Sequence, residues 1–405
     1  MDEAAGRNVG PVLSSDRETG VVPVVTRFSL GERVTLAELE GDPHRLLARL
    51  RAREPVAWVP VLDGWLVTGR ALALEVMRDP GTFTVDDPRF STAQVVGPSM
   101  LSLDGPEHAR HREPFTRAFR PAEIRDRFTE IIERESDRLI TGLRPGAAEL
   151  RGDFAGPFAV AVVARALGLR DVAPGTVLAW YDAIVGAVSS VTAGAGVTAE
   201  GAAGFESLRA AVEDSLGSPL LAEAATRLTT AEVVSNAAVL MFGGIETVEG
   251  MILNAVWHLL GHPGQLELVL ADPELVAGAV EESMRLEPAA AVVDRYATRD
   301  TGLGGATIRR GDLVRVSITG ANREPEVFPE PDRYDVRREN ARLQLVFAHG
   351  PHYCLGVHLA RLEARIAVAA LLRRLPGLRL DPARPSAPGG LVFRKPRALR
   401  VLWDG

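Results

Sequence analysis

Apolar residues recur at three- and four-residue spacing over most of the chain after residue 35, the period of helices that bury one face. From Thr35 to Arg53 they fall at Leu36, Leu39, Leu46, Leu47 and Leu50, and a further helix is predicted from Arg70 to Arg78, before Asp79-Pro80. Val56 to Val61 and Trp65 to Thr68 flank Asp63-Gly64 and read as two strands, while Ile308 to Val316 reads as a hairpin. Thr229-Thr230-Ala231-Glu232 is a capping-box sequence that opens an apolar stretch ending at Leu260, with Gly261 and Pro263 as the stop. About 30 residues at 1.5 Å rise make a helix of about 45 Å, long enough to cross the molecule. Leu355, Leu359, Leu362, Ile366, Ala369 and Leu372 predict the last helix.

Other stretches lack a period. Residues 1 to about 25 are polar and are expected to form a mobile tail, leaving 26–405 as one large domain. Thr82 to Ser102 is a long segment of the kind that is functional or disordered in compact domains. Phe119 to Thr230 reads as several helices broken at Arg144-Pro145-Gly146, at Ala173-Pro174-Gly175 and over the Ala/Gly/Thr-rich run from Ser189 to Gly204.

Composition narrows the class. A 405-residue chain with 46% hydrophobic content can bury a large core. The net charge of −7 is spread as interspersed signs, which argues against a nucleic-acid partner. The N-terminal residues show no basic segment leading into an apolar core, and no uninterrupted apolar run reaches the roughly 18 residues of a membrane span, so a cytoplasmic protein without membrane contact is expected. A single cysteine excludes an internal disulfide framework. The cationic residues are almost all arginine, with Lys395 the one lysine.

That cysteine, Cys354, sits in Phe347-Ala348-His349-Gly350-Pro351-His352-Tyr353-Cys354-Leu355-Gly356, at the start of the last predicted helix. Free backbone N–H groups and the helix dipole favour a thiolate there, and a thiolate is a good metal ligand. Inert packing, a zinc site with His349, His352 and His358, and a nucleophile with a histidine base are the other readings, although zinc ordinarily takes two separated ligand pairs. The middle of the long helix is also unusual. Gly243-Gly244-Ile245-Glu246-Thr247 costs about 1 kcal/mol per glycine relative to alanine and sets an acid among apolar residues, which suits either close helix packing with an arginine partner or a built site.

Phe347-x-x-Gly350-x-His352-x-Cys354-Leu355-Gly356 resembles the heme-binding loop of the cytochrome P450 family. The resemblance implies that family's fold: mainly α with small β-sheets (α+β), and heme b lying between the long helix and the Cys354 helix. It makes the Cys354 thiolate the axial ligand of heme iron, with Phe347, Gly350, His352 and Gly356 around it. Gly243 to Thr247 resembles the oxygen-binding helix, with Gly243 and Gly244 leaving room for O2 and Glu246 and Thr247 relaying protons. His108 and Arg112, four apart on a helix starting near Pro106, and Arg295 would contact the heme propionates, while Glu282, Arg285 and Arg338 would form a structural ion-pair network.

The implied activity is hydroxylation or epoxidation of a hydrophobic small molecule, in secondary metabolism, by O2 and two electrons. Oxidative coupling, ring closure, peroxide-driven oxidation and a non-enzymatic heme sensor or carrier are the alternatives. With no flavin or iron–sulfur module in the chain, a separate ferredoxin and ferredoxin reductase would supply the electrons to a monomeric enzyme. The ferredoxin is expected to dock near Cys354, on Arg110, His111, Arg361 and Arg365. Val85 to Met100, Val239 to Thr247, Ala289 to Val293 and Leu391 to Phe393 are the expected pocket walls, and Trp180, Tyr181 and Phe205 are further candidates for substrate contact. Two positions depart from the family pattern: Ala348 stands where glycine is common, and Gln344 where a propionate-contacting histidine often stands.

Overall fold

The capping box at Thr229 is formed: its hydroxyl accepts from the Glu232 N–H, and the Glu232 carboxylate accepts from the Thr229 N–H, starting a helix that runs from Thr230 to Gly261. The computed structural model describes residues 29–169, 172–192 and 194–404, so the tail expected at residues 1–25 lies outside the described residues. In chain order the helices that position the site are α1 (Gly105–Thr116), α2 (Pro121–Thr141), α3 (Gly156–Leu167), α4 (Pro174–Thr192), α5 (Ala199–Asp214), α6 (Thr230–Gly261), α7 (Val276–Leu286) and α8 (Val357–Arg374).

Helix α6 is long and apolar enough to cross a bilayer, yet 67% of its apolar window is buried inside the protein. It is shared by two hydrophobic clusters. Val233 to Ile245 pack with α3, α4 and α5, whereas Val248 to Leu259 pack with α2, α7 and α8. Glu246 and Thr247 sit at the junction.

The larger sheet contains β1 (Val56–Val59), β2 (Gly64–Val67), β3 (Phe83–Thr84), β4 (Val292–Ala297) and β5 (Leu313–Ser317) in the order β1-β2-β5-β4-β3, with only β2 and β5 parallel. Ile308 to Val316 is therefore not a hairpin. Ala306–Ile308 pairs with Thr301–Leu303, and Ala297 of β4 accepts from the Gly311 N–H and donates to the Asp312 carbonyl.

Three further expectations change. Thr35 to Arg53 holds two helices, Leu36–Glu40 and His44–Arg53, because Gly41-Asp42-Pro43 interrupts the first. Thr82 to Ser102 is ordered, containing β3 and the helix Ser91–Val96. The run from Ser189 to Gly204 is mostly helical: α4 continues to Thr192 and α5 begins at Ala199 under a Thr198 cap. Its small residues let the helices approach, since a Cβ on Gly201 would lie 2.3 Å from the Ala187 Cβ.

Glu287 ties distant segments together. Buried beyond α7, it contacts His44 of an early helix, Arg394 at 3.0 Å and Arg323 at 3.7 Å. Burial opposes its charge, but His44, Arg394 and Arg323 outweigh that and hold the carboxyl at about 2. A lowered folded pKa stabilises the fold above the unfolded value of about 4.3 and loses that stabilisation as pH falls toward 2, a difference of about 3 kcal/mol. Denaturant unfolding of wild type and Glu287→Gln across this range should show a gap that narrows with acid.

Candidate active site

The cysteine loop closes on itself. The Cys354 N–H donates to the Phe347 carbonyl at 2.8 Å, and the Arg361 guanidinium lies over the Phe347 ring, 4.6 Å from its centre. Gly350 is required here: its φ is +73°, and a Cβ would come within 2.3 Å of the Met77 carbonyl oxygen. Gly356 is under less constraint, since a Cβ there would only touch the Cys354 sulfur at 3.9 Å. Cys354 precedes α8 by three residues and does not lie inside it. Burial pushes its thiol up, against the Gly356 N–H, Arg112 and Arg361, which favour the anion.

Ala348 adopts φ +56°, the left-handed conformation that costs a non-glycine residue about 1–2 kcal/mol. Ala348→Gly should relieve this against the greater flexibility of glycine in the unfolded chain, for a net gain of up to about 1 kcal/mol. Thermal unfolding of the holoprotein checks the sign. Gln344 is buried and donates to Glu281 at 3.3 Å, while its oxygen accepts from the Val346 N–H; it belongs to the network behind the loop.

Four nitrogen-bearing side chains gather on the other side of the loop. The His108 ring lies tilted against that of His352 with ring centres 4.4 Å apart, Arg112 donates to the Tyr353 carbonyl at 2.5 Å, and Arg295 projects from β4. Among the described residues, His108 Nε2 and Arg295 Nη2 are buried without a hydrogen-bond partner. Burial first, then His352 and Arg112, lower the His108 pKa to about 4 and keep its imidazole neutral. His352 Nε2 is 2.8 Å from Asp104, a carboxylate also bound by the Thr84 hydroxyl and the Val85 N–H; sequence reasoning missed Asp104, which has no motif of its own. Two orphaned buried donors beside an arginine are what a pair of carboxylates such as heme propionates would satisfy, so these residues fit the group.

Across from the loop, a Cβ on Gly243 of α6 would meet nothing within 4 Å. Gly244 does not share that opening, because one residue turns it about 100° around the helix and a Cβ there would meet Val163 of α3 at 2.9 Å. Thr247 donates to the Gly243 carbonyl at 2.6 Å. Among the described residues Glu246 has no arginine partner; it accepts from the Tyr181 hydroxyl and lies 2.6 Å from the Lys395 ammonium, a contact without a sequence signal beyond the rarity of lysine. Tyr181, Phe242 and Phe393 form an aromatic wall, with centroid separations of 6.3 and 5.5 Å. The bridge between Ala290 and Phe393 brings two other expected wall segments to it.

Glu282 and Arg285 are fully buried and paired at 2.7 Å, with Arg338 2.8 Å from the same carboxylate. Beyond the loop, a groove of about 540 Å³ carries Arg125, Arg342, His358, Arg361 and Arg365. The expected docking set is corrected here. Arg110 is held by Glu107 and Glu232, and His111 is buried on Asn236, so neither offers free charge; Arg361 is partly neutralised by Glu281 at 2.5 Å. Among the described residues no group of three His, Cys, Asp or Glu side chains could hold a metal ion, which leaves the zinc reading without ligands.

A family model described as cytochrome P450 matches residues 216–385. The cytochrome P450 monooxygenase PikC of Streptomyces venezuelae is 35% identical over 409 residues, covering 95% of each chain. The vitamin D(3) 25-hydroxylase of Pseudonocardia autotrophica is 34% identical, covering 89% of this chain and 92% of the hydroxylase. Among solved structures, P450BioI in complex with an acyl carrier protein superposes with a TM-score of 0.81 at 28% identity, covering 91% of this chain and 100% of that one.

Proposed function

The chain belongs to the cytochrome P450 family as a heme-thiolate monooxygenase, and we propose that Cys354, the His108–Arg112–Arg295–His352 rim and the Glu246–Thr247 pair are its working parts. The observation that carries this reading is the pair of orphaned buried donors, His108 Nε2 and Arg295 Nη2, on the same side of the cysteine loop. When bound, heme b supplies the O2 and electron chemistry by which one oxygen atom enters the substrate and the other leaves as water.

The protein's own tasks follow from its side chains. Cys354 would hold the heme through its sulfur, and Arg112, Arg295, His108 and His352 would hold its propionates. Gly243 leaves open space on its side of α6, where O2 would be received, and Phe347 and Gly350 keep the loop closed. Gly356 offers its N–H to the sulfur. Thr247 and Glu246 hold and move the protons that reduction of O2 consumes. Glu282, Arg285 and Arg338 fix the segment before the loop.

The substrate is a hydrophobic small molecule of secondary metabolism, received against Tyr181, Phe242 and Phe393. Electrons come from a ferredoxin reduced by its reductase, with the acidic ferredoxin docking on the arginine-lined groove beside α8. The test is turnover with a surrogate ferredoxin and reductase on a panel of apolar substrates under ¹⁸O₂. Product carrying one heavy oxygen atom supports the reading. Heme binding and slow reduction without oxygenated product from any substrate count against it.

A further inference from the structure

Lys395, the only lysine in the chain, is buried at the start of a two-residue strand that pairs with Pro388–Gly389. Its ammonium lies 2.6 Å from Glu246 and 2.7 Å from Glu249, two carboxylates one turn apart on α6 that would otherwise repel. Glu249 is held in turn by Arg151 at 2.7 Å, Glu246 accepts from Tyr181, and Asp182 of α4 is the remaining charged neighbour. Lys395 and Arg151 also line a cleft of about 630 Å³, together with Phe393. Arg384, Arg397 and Arg400 line it as well. Glu246 therefore stands behind a polar cleft with Lys395 between them.

We propose that Lys395 is a positioning residue that holds Glu246 toward this cleft, so that the protons used beside Thr247 enter from the cleft through the Glu246 carboxyl. The inference rests on the reading of Glu246 as the relay acid. Each turnover consumes two protons with two electrons: the carboxyl gives a proton toward Thr247 and regains one from cleft water, so the acid is restored each time. The ammonium keeps both carboxylates in place and compensates their charge. Without it the two adjacent carboxylates repel, and Glu246 loses the contact that holds it toward the cleft.

Two measurements on the holoenzyme test this. Labelling with [ε-¹³C]lysine gives one lysine resonance, Lys395, which should move in Glu246→Gln; an unmoved signal overturns the contact. With surrogate electron donors, the fraction of consumed O2 released as hydrogen peroxide should rise about tenfold in Lys395→Met, while Lys395→Arg, which keeps the cation between the two carboxylates, restores the wild-type fraction. Peroxide release unchanged in Lys395→Met, or raised equally in Lys395→Arg, overturns the inference. Glu246→Gln separates the layers: if it leaks no more peroxide than wild type, the relay reading itself fails. If it leaks and Lys395→Met does not, only the role of Lys395 fails.

Discussion

Glu282→Gln is expected to destabilise the protein by about 3–5 kcal/mol, because it strips the charge partner from an arginine with no route to water. Arg285 and Glu282 are both fully buried, and the Arg285 guanidinium also donates to the carbonyls of Asn322, Pro331 and Arg333. Arg338 reaches the same carboxylate and the Pro329 carbonyl, so one glutamate organises the irregular chain before the cysteine loop. Burial already lowers the Arg285 pKa against the pull of Glu282. Removing the acid leaves two cations facing each other across a dry gap. Purified Glu282→Gln should carry substoichiometric heme and unfold at much lower denaturant; stability within about 1 kcal/mol of wild type would show that the pair contributes little.

Glu246→Gln should lower oxygenated product formation by about 100-fold while leaving substrate binding and heme content near wild type. An amide keeps the shape of the side chain and its contact with Tyr181 but cannot cycle a proton. Lys395 keeps Glu249 at 2.7 Å, so the loss of one carboxylate does not strand the ammonium. Product formation should fall while electron consumption continues, with the difference appearing as peroxide. Equal losses of substrate binding and turnover would instead assign Glu246 to substrate contact.

The parts legible in the sequence are those whose partners lie a few residues apart. His108 and Arg112 share a helix face, Glu282 and Arg285 are one turn apart, and the loop from Phe347 to Gly356 is continuous, so spacing reveals them. The long helix announced both its cap and its break in character. Contacts made only by folding stayed hidden. Tyr181 reaches Glu246 across 65 residues, Asp104 reaches His352 across 248, and Lys395 arrives from the far end of the chain. Arg110 was misread for the same reason, since the Glu232 that neutralises it stands 122 residues away. Glycines were ambiguous in kind: in Gly201 and Gly244 the missing Cβ admits a neighbouring helix, whereas in Gly243 it opens a space.

As proposed, Cys354 ligates heme iron as a thiolate. The absorption spectrum of the reduced protein under carbon monoxide, recorded for wild type and Cys354→Ala, tests it most directly. Wild type should give the long-wavelength band of a thiolate-ligated heme, and Cys354→Ala should lose it while its circular dichroism stays helical. A wild-type spectrum without that band, or a variant that retains it, would contradict the account.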